Sequence, residues 1–197
     1  MLPTLLRNAI AHAVAHHERS TRISTRGRQK KLSATYVLDR IFYVCKTGCQ
    51  WNQLEVMQGS WKTIFHYFNL WSKLRLFENA FYNLSKNVQL CTIVVDSSFV
   101  KNVCGRDVVG RNPTDRGRKA TKVSLVTNEH GTPLTTCFHK ANKNDGASLR
   151  HIIDTCARKT NALRSATALL ADKGYDSETC RSVCKTHNLK DLIPKRG

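Results

Sequence analysis

The sequence lacks any uninterrupted apolar stretch of the roughly 18 residues that a membrane-spanning helix needs. It also lacks an apolar run next to a small-residue cleavage site, the pattern typical of a secretory signal. Acidic residues are few, because 14 Asp and Glu stand against 32 Lys and Arg, and the net charge is +18. These features predict an intracellular protein without a membrane partner, and they favour nucleic acid as the polyanion that it binds.

The eight cysteines do not form the pattern of a disulfide scaffold or of a zinc knuckle. No Cys-x-x-Cys pair occurs, and the cysteines are scattered through runs that resemble helices and strands. Cys180 and Cys184, with His187 nearby, have helical spacing. We interpret them as reduced thiols of the core rather than as zinc ligands.

Residues 1–31 form a basic arm in which seven Lys and Arg stand against Glu18 alone, which gives 7 − 1 = +6. The pattern predicts a helical start followed by a loose basic tail. Its acid-poor composition also suits an organelle transit peptide, but an arm that is solvated or contacts DNA is favoured. The residues predicted to contact DNA are Arg26, Arg28, Lys30 and Lys31.

Residues 32–88 predict a small helical domain. One helix should begin at Ser33, a good N-cap, and end near Gly48, which suits a left-handed C-terminal position. A second should begin near Ser60 and a third should cover about 76–85. The second helix would place Ile64, Phe65, Phe68, Trp71 and Leu74 inward and Lys62, Thr63, His66 and Lys73 outward.

This arrangement of short helices with a basic outer face is typical of a helix-turn-helix-like module, in which one helix enters the major groove of DNA. Lys62 is the predicted DNA contact of this domain. The same aromatic core would serve any small helical bundle, so the pattern leaves both interpretations open.

Residues 89–197 change to the pattern of a mixed α/β domain. The segments "LCTIVVD", "KATKVSLVTN" and "TPLTTCFHK" predict three strands, the last two joined as a hairpin through "EHG". A helix capped by Asp145 follows, with Leu149, Ile152, Ile153 and Cys156 inward. A strand "SATALLAD", a helix "SETCRSVCKTH" and a short strand "KDLIP" complete the order.

Two of these predicted strands end in an aspartate, Asp96 and Asp172. Neighbouring parallel strands would bring both carboxylates to one edge of the sheet, where ligands of open α/β sheets collect. Oxygen ligands of this kind suit Mg²⁺ or Mn²⁺ in two-metal phosphoryl transfer, with Asp96 bridging two ions and Asp172 binding one. Each aspartate could instead cap the turn that follows it. Together, in so basic a chain, they favour the metal site.

The linked motifs "VVDSSFVK", "GRNPTDRGRKATKVSLVTNEHGTPL", "ANKNDGAS" and "LLADKGYDS" resemble the DDE transposases of bacterial insertion sequences, in the branch named for insertion sequence five. Upstream, "LDRIFYVCKTGCQWNQL" and "WKTIFHYFNLWSKLRLFENAF" resemble the helical N-terminal domain of that family. The resemblance implies a ribonuclease H-like catalytic fold and makes Asp96 and Asp172 the first two members of an acidic triad. It implies double-stranded DNA, both element ends and target, as the partner of a homo-oligomer.

The third carboxylate of the family, a Glu, lies beyond the segment that reads "DLIPKRG" here. Asp176, Glu178 and Asp191 come too early to take this role. We therefore expect a C-terminally truncated transposase, or the first product of an element whose second frame supplies the rest. Its location would be the cytoplasm or nucleoid of a bacterium, or the nucleus of a eukaryotic or viral host.

The loop "KNVCGRDVVGRNPTDRGRK" and its flanks are strongly basic, which predicts contact with DNA phosphates rather than a merely solvated surface. Lys173 and Tyr175, which follow Asp172, should face the substrate or pack beneath it. The predicted phosphate-binding residues of this half of the chain are Lys101, Arg106, Arg111, Arg116, Arg118, Lys119, Lys122 and Lys173. Two functions remain open: a metal-dependent transposase, or a catalytically inactive DNA-binding remnant that represses transposition.

Overall fold

The computed structural model describes residues 4–20, 32–86, 88, 90–102, 105 and 107–196. By its internal contacts the chain divides into two compact units, Met1–Leu84 and Ser85–Gly197. We refer to them as the helical unit and the sheet unit. Among the helices in the described ranges, none has both the length and the apolar character of a bilayer-spanning segment.

In its described residues the helical unit contains four α-helices, α1 (Thr4–Ser20), α2 (Ala34–Thr47), α3 (Trp61–Lys73) and α4 (Leu76–Ser85). The Ser33 hydroxyl accepts a hydrogen bond from the Tyr36 N–H and so caps α2 at its start. Gly48 ends the helix in the left-handed conformation, with φ of 68°, and its N–H donates to the Val44 carbonyl. The predicted bounds of α2 and α4 and the predicted start of α3 are therefore confirmed.

Helix α1 packs into the core of the helical unit through Ile10 and Val14, whose exposed fractions are 2% and 1%. His12 and His16, one turn apart on the same helix, are both exposed. The predicted helical start is thus confirmed, but residues 4–20 have a buried face that the basic character of the arm as a whole did not indicate. The other buried members of this core are Val37, Leu38, Ile41, Val44, Leu54, Ile64, Trp71, Leu76 and Ala80.

Helix α3 corrects one inward assignment. Ile64 and Trp71 are buried, and Phe68 and Leu74 are partly buried, whereas Phe65 is 37% exposed and rests with its ring against Trp51. Successive residues differ by about 100° around a helix, so Phe65 lies at the edge of the stripe that Ile64 centres. The basic side chains Lys62, His66 and Lys73 are exposed, as expected.

The sheet unit is a mixed six-stranded sheet of ribonuclease H-like order. Its strands are β1 (Thr92–Lys101), β2 (Gly110–Arg111), β3 (Lys119–Asn128), β4 (Pro133–Lys140), β5 (Ala168–Ala171) and β6 (Lys190–Leu192). Central β1 pairs antiparallel with β3 and parallel with β5, while β4 extends the sheet from β3 and β6 from β5. The predicted fold class is therefore confirmed, with β2 as an additional short strand.

Two helices, α5 (Asp145–Lys159) and α6 (Glu178–Thr186), contribute the core of this unit together with the sheet. Leu149, Ile152, Ile153 and Cys156 of α5 are buried as predicted. The N-cap prediction was wrong, because the side chain of Asn144, not of Asp145, accepts the Gly146 and Ala147 N–H groups. Asp145 is instead the first helical residue, where a carboxylate is favoured by the helix dipole.

The prediction that the cysteines are core thiols holds for Cys137, Cys156, Cys180 and Cys184 but is wrong for Cys45 and Cys91, which are exposed. Cys180 and Cys184 are buried in the core of the sheet unit, and burial raises the pKa of the Cys184 thiol to about 11. His187 lies beside them in sequence, but its Nε2 atom is 3.0 Å from the Asp154 carboxylate. The two cysteines are therefore packing groups, and His187 is engaged by Asp154.

Candidate active site and basic loop

Asp96 lies within a strand and not at its end, which corrects the sequence prediction. Strand β1 continues through Asp96 to Lys101, because β3 pairs with it along this whole length. The apolar run ends at Asp96 since the side chains beyond it are partly or fully exposed, not because the backbone turns. Asp172 does follow the last residue of β5, Ala171.

The parallel register of β1 and β5 places the two aspartates side by side. Val95 is paired with Ala171, and Asp96 and Asp172 each come next. Since neighbouring strands lie about 4.8 Å apart and side chains alternate between faces, both aspartates leave the sheet on the same side. Both residues are exposed, whereas Val95 and Ala171 are buried. The structure thus brings together the two carboxylates that the sequence singled out.

Each carboxylate is held by the backbone of the next residue. The Ser97 N–H donates to Asp96 Oδ1 and the Lys173 N–H donates to Asp172 Oδ1, both at 2.7 Å. Within the described residues, the Oδ2 atom of each carboxylate accepts no hydrogen bond. Two exposed carboxylates with free oxygens fit a hard divalent cation, which takes oxygen ligands and completes its shell with water and substrate.

No group of three or more His, Cys, Asp or Glu side chains arranged to hold a metal ion occurs in the described part of the chain. Asp176 and Asp191 are both engaged by the Arg181 guanidinium, at 2.7 and 2.6 Å. Glu178 is exposed at the start of α6. Within the described residues, the carboxylate that the strand register places beside Asp96 is that of Asp172.

Tyr175 packs beneath the site rather than facing solvent. It belongs to the buried core with Ile93 and Val95, and burial raises the pKa of its hydroxyl to about 12, an effect partly offset by hydrogen bonding with the Ser97 side chain. The negative charges of Asp145 and Asp96 raise this pKa further. Tyr175 therefore links the chain after Asp172 to β1 next to Asp96.

Lys122 is a predicted phosphate contact that the structure does not present to DNA. Its side chain is 5% exposed, and its ammonium group donates to the Asp145 carboxylate and to the Lys143 carbonyl. It also lies 5.5 Å from the centre of the Phe99 ring. Side chains alternate between the two faces of β3, and this position faces the helices, so the ammonium group is neutralised inside the protein.

The basic loop, which we define as residues 111–119, is an ordered turn. Asn112 is buried and its side chain accepts hydrogen bonds from the backbone N–H and the hydroxyl of Thr114. Its carbonyl accepts the N–H of Gly117, which has φ of 71°. This turn exposes the side chains of Arg111, Arg116, Arg118 and Lys119. Arg118 makes only a loose ion pair with Asp115, at 3.8 Å.

The remaining predicted DNA contacts fall in three places. Lys101 is exposed at the end of β1, about 16 Å beyond Asp96 at roughly 3.3 Å per strand residue. Lys173 is exposed directly after Asp172, and Lys62 is exposed on α3 of the helical unit. The contacts that lie outside the described residues are Arg26, Arg28, Lys30, Lys31 and Arg106.

Sequence reasoning missed the residues that hold the chain around Asp172. Arg181 and Arg196 make hydrogen bonds with Asp176 and with backbone carbonyls of the segment 173–174. Their partners are up to 23 residues away in the chain. No local pattern signals contacts of this kind.

Two family models match adjacent parts of the chain. A model described as "Putative transposase of IS4/5 family" matches residues 8–81, and one described as "Transposase DDE domain" matches residues 88–197. The second match alone covers more than half of the chain.

One similar curated protein is the "Putative transposase for insertion sequence element IS402" of Burkholderia cepacia, 36% identical over 96 residues. The match covers 47% of this chain and 46% of that protein, so it spans about half of the length of this relative. A solved structure, "Mos1 transposase paired-end complex with left transposon end", is similar with a TM-score of 0.35 at 10% identity. That similarity covers 90% of this chain and 65% of the other, and it is too low to bear on fold or function.

Proposed function

Because this chain belongs to the transposase DDE domain family, in the IS4/5 group of insertion-sequence transposases, we propose that it binds the terminal DNA of its own element. We propose further that the protein cleaves and rejoins DNA strands at the element ends with the help of divalent metal ions. Dependence on a divalent metal is a general property of this family. The assignment of particular residues to these steps is the proposal that follows.

The observation that supports the chemistry best is the register that puts Asp96 of β1 beside Asp172, the residue directly after the adjacent strand β5. Their free carboxylate oxygens would hold the metal ion. When bound, a divalent ion supplies positive charge that stabilises the attacking and leaving oxygens of phosphoryl transfer. The protein contributes a fixed backbone at both positions, since Asp96 is paired with Leu125 of β3 and Asp172 follows Ala171, which is paired with Val95.

The basic loop supports an approach of DNA from the end of the sheet where Asp172 lies. Strands β1 and β5 are parallel, so the chain that leaves β1 emerges at the same end as the carboxyl end of β5. Arg111, Arg116 and Arg118 stand at that end, because β2 and the start of β3 pair there. Planar guanidinium groups bind phosphate in bidentate fashion, which suits them to hold the DNA backbone.

The exposed face of α3 supports a second DNA contact in the helical unit. Its sequence contains no acidic residue, and Lys62, His66 and Lys73 lie on its solvent side. Exposed cations on a short helix are typical of elements that dock on the DNA backbone or in the major groove. We assign Lys62 to this contact.

A second candidate function, DNA binding without strand cleavage, is favoured by one observation. Within the described residues, no third metal-binding side chain joins the two aspartates. Each loss of about 1.36 kcal/mol of transition-state stabilisation slows a reaction about tenfold. A site that binds its metal ions weakly and loses several times this amount would cleave DNA too slowly to detect. Such a chain would occupy element ends and block transposition.

The test of the proposal is a titration with Mn²⁺ by isothermal calorimetry on wild type and Asp96→Asn. The substitution keeps the shape but removes the charge, so Mn²⁺ affinity should fall. The thermal midpoint without metal should stay equal or rise, because repulsion between the two carboxylates is relieved. Equal Mn²⁺ binding by the two proteins would reduce the aspartates to turn-forming residues.

Strand cleavage then separates the two candidate functions. The purified chain is incubated with Mg²⁺ and a duplex that carries an element end. Nicking that disappears in Asp172→Ala would support the enzyme, and a gel shift without nicking would support the DNA-binding protein. An absence of both binding and nicking would contradict both.

A further inference from the structure

The guanidinium group of Arg196 is bound to the turn that carries Asp172. We define the Asp172 turn as Asp172 together with the short 3-10 helix Lys173–Tyr175 that it caps. Arg196 Nε donates to the Lys173 carbonyl at 3.0 Å, and Nη2 donates to the Gly174 carbonyl at 2.8 Å. One planar side chain therefore holds two consecutive carbonyl groups of the turn.

Arg196 is itself anchored through its backbone. Its N–H donates to Asp176 Oδ2 at 2.6 Å, while Asp176 Oδ1 accepts from Arg181 at 2.7 Å. Arg181 also donates to the Asp191 carboxylate and to the Ile193 carbonyl. Arg181 therefore connects the chain around β6 to Asp176. The hydrogen bonds from the Arg196 N–H and from Arg181 hold the pKa of Asp176 below its usual value.

The turn needs an external partner because it is too short to stabilise itself. Its own hydrogen bonds are those of the Tyr175 N–H to the Asp172 carbonyl, of the Asp176 N–H to the Lys173 carbonyl and of the Lys173 N–H to Asp172 Oδ1. The last carbonyls of a short helix have no partner within it and must be satisfied from outside. The Gly174 carbonyl accepts no hydrogen bond within the turn and is satisfied by Arg196 Nη2, whereas the Lys173 carbonyl accepts from Arg196 Nε in addition to the Asp176 N–H. Without it, the turn is held to the sheet unit through Tyr175 and Asp176.

We propose that Arg196 is a positioning residue, which fixes the Asp172 turn so that the Asp172 carboxylate stays beside Asp96. This inference rests on the proposed metal-binding function of the two aspartates. Groups that orient a metal ligand from outside the coordination shell commonly change metal affinity by about 10- to 100-fold when they are removed. Arg196 would act in this way through the backbone on which Asp172 stands.

The sign of the effect distinguishes positioning from simple electrostatics. Removal of a positive charge near a cation site should strengthen binding of a dication, because repulsion is reduced. Loss of positioning should weaken it. We therefore expect Arg196→Ala to bind Mn²⁺ about tenfold more weakly than wild type in a calorimetric titration.

Lys195→Ala is the matched control. Lys195 is the adjacent residue, is exposed, makes no hydrogen bond or ion pair with any described residue, and carries the same charge. Its removal should leave Mn²⁺ affinity unchanged or slightly higher. Arg196→Lys keeps the charge but lacks the planar pair of donors, so it should remain weakened like Arg196→Ala.

Amide hydrogen exchange without metal gives an independent measurement of the same clamp. The Tyr175 and Asp176 amides should exchange several-fold faster in Arg196→Ala than in wild type, and at the wild-type rate in Lys195→Ala. Unchanged exchange in Arg196→Ala, or Mn²⁺ affinity that changes as in Lys195→Ala, would overturn the positioning role. Failure of wild type to bind Mn²⁺, with exchange still accelerated in Arg196→Ala, would instead overturn the proposed metal site and leave Arg196 as a clamp of the turn alone.

Discussion

Lys122 and Asp145 form one ion pair but differ in exposure. The lysine side chain is 5% exposed and the aspartate side chain 44%. A charge that stays buried after its partner is removed is costly, whereas a charge that water can reach is not. The two residues should therefore respond very differently to substitution, although the interaction that is lost is the same.

We predict that Asp145→Ala lowers the free energy of unfolding by about 3 kcal/mol, because it leaves the buried ammonium group without its anion. Lys122→Met should cost less than about 1 kcal/mol, since the remaining carboxylate is hydrated and the apolar side chain fills a similar volume. Urea denaturation followed by far-ultraviolet circular dichroism measures both. Asp115→Ala, which breaks an exposed ion pair, is the control and should change stability by less than about 0.5 kcal/mol. A larger loss for Lys122→Met than for Asp145→Ala would contradict this account.

At the scale of elements, α1 belongs to the helical core although it lies at the start of the basic arm. Its buried residues, Ile10 and Val14, are one turn apart, so a narrow apolar stripe is enough to dock it. Nη1 of Arg7 on the same helix lies 3.4 Å from Oδ1 of Asp39 on α2. Deletion of the basic arm, residues 1–31, would therefore remove part of the helical core together with the positive charge of the arm.

Ile10→Ala should lower the free energy of unfolding of the helical unit by about 2 to 5 kcal/mol, the usual cost of a buried cavity. Leu5→Ala on the same helix is the matched control, because Leu5 is 76% exposed and should change stability by less than about 0.5 kcal/mol. Tryptophan fluorescence reports this unit, since Trp51, Trp61 and Trp71 all lie in it. Similar losses for both variants would show that α1 is not docked as described.

At the scale of the whole molecule, the charge of +18 predicts DNA binding that depends strongly on salt. Total charge does not say where the DNA lies, because basic residues occur at both ends of the sheet. Arg111, Arg116 and Arg118 are at the end where Asp172 lies. At the opposite end, Lys190 begins β6, and Arg164 and Lys185 precede β5 and β6.

Substitution of Arg111, Arg116 and Arg118 by Gln should flatten the plot of log K against log salt concentration. Each phosphate contact contributes about −0.9 to the slope, so the slope of the triple variant should be less negative than that of wild type by up to about 2.7. The control triple variant, with Gln at Arg164, Lys185 and Lys190, removes the same charge from the opposite end and should keep the wild-type slope. Filter-binding titrations measure both, and equal slopes for the two variants would remove the basic loop from the interface.

Local patterns in the sequence by themselves determined where most helices and strands begin and end, and they identified Asp96 and Asp172 as candidate ligands. A capping serine and a left-handed glycine signal the ends of α2 within a few residues, and the hairpin turn signals β3 and β4 in the same way. The apolar runs before Asp96 and Asp172 identified both as candidate ligands because each run ends in a charge. Signals of this kind act over one or two turns of chain, which is why they can be read without a structure.

The tertiary structure alone decided which neighbours these residues meet. Pairing with β3 carries β1 past Asp96, the alternation of β3 turns Lys122 inward, and the fold brings Arg196 back to the Asp172 turn. A lysine or arginine looks the same in sequence whether it faces phosphate, a buried carboxylate or a backbone carbonyl. The difference comes from strand pairing and burial, which depend on residues far apart in the chain.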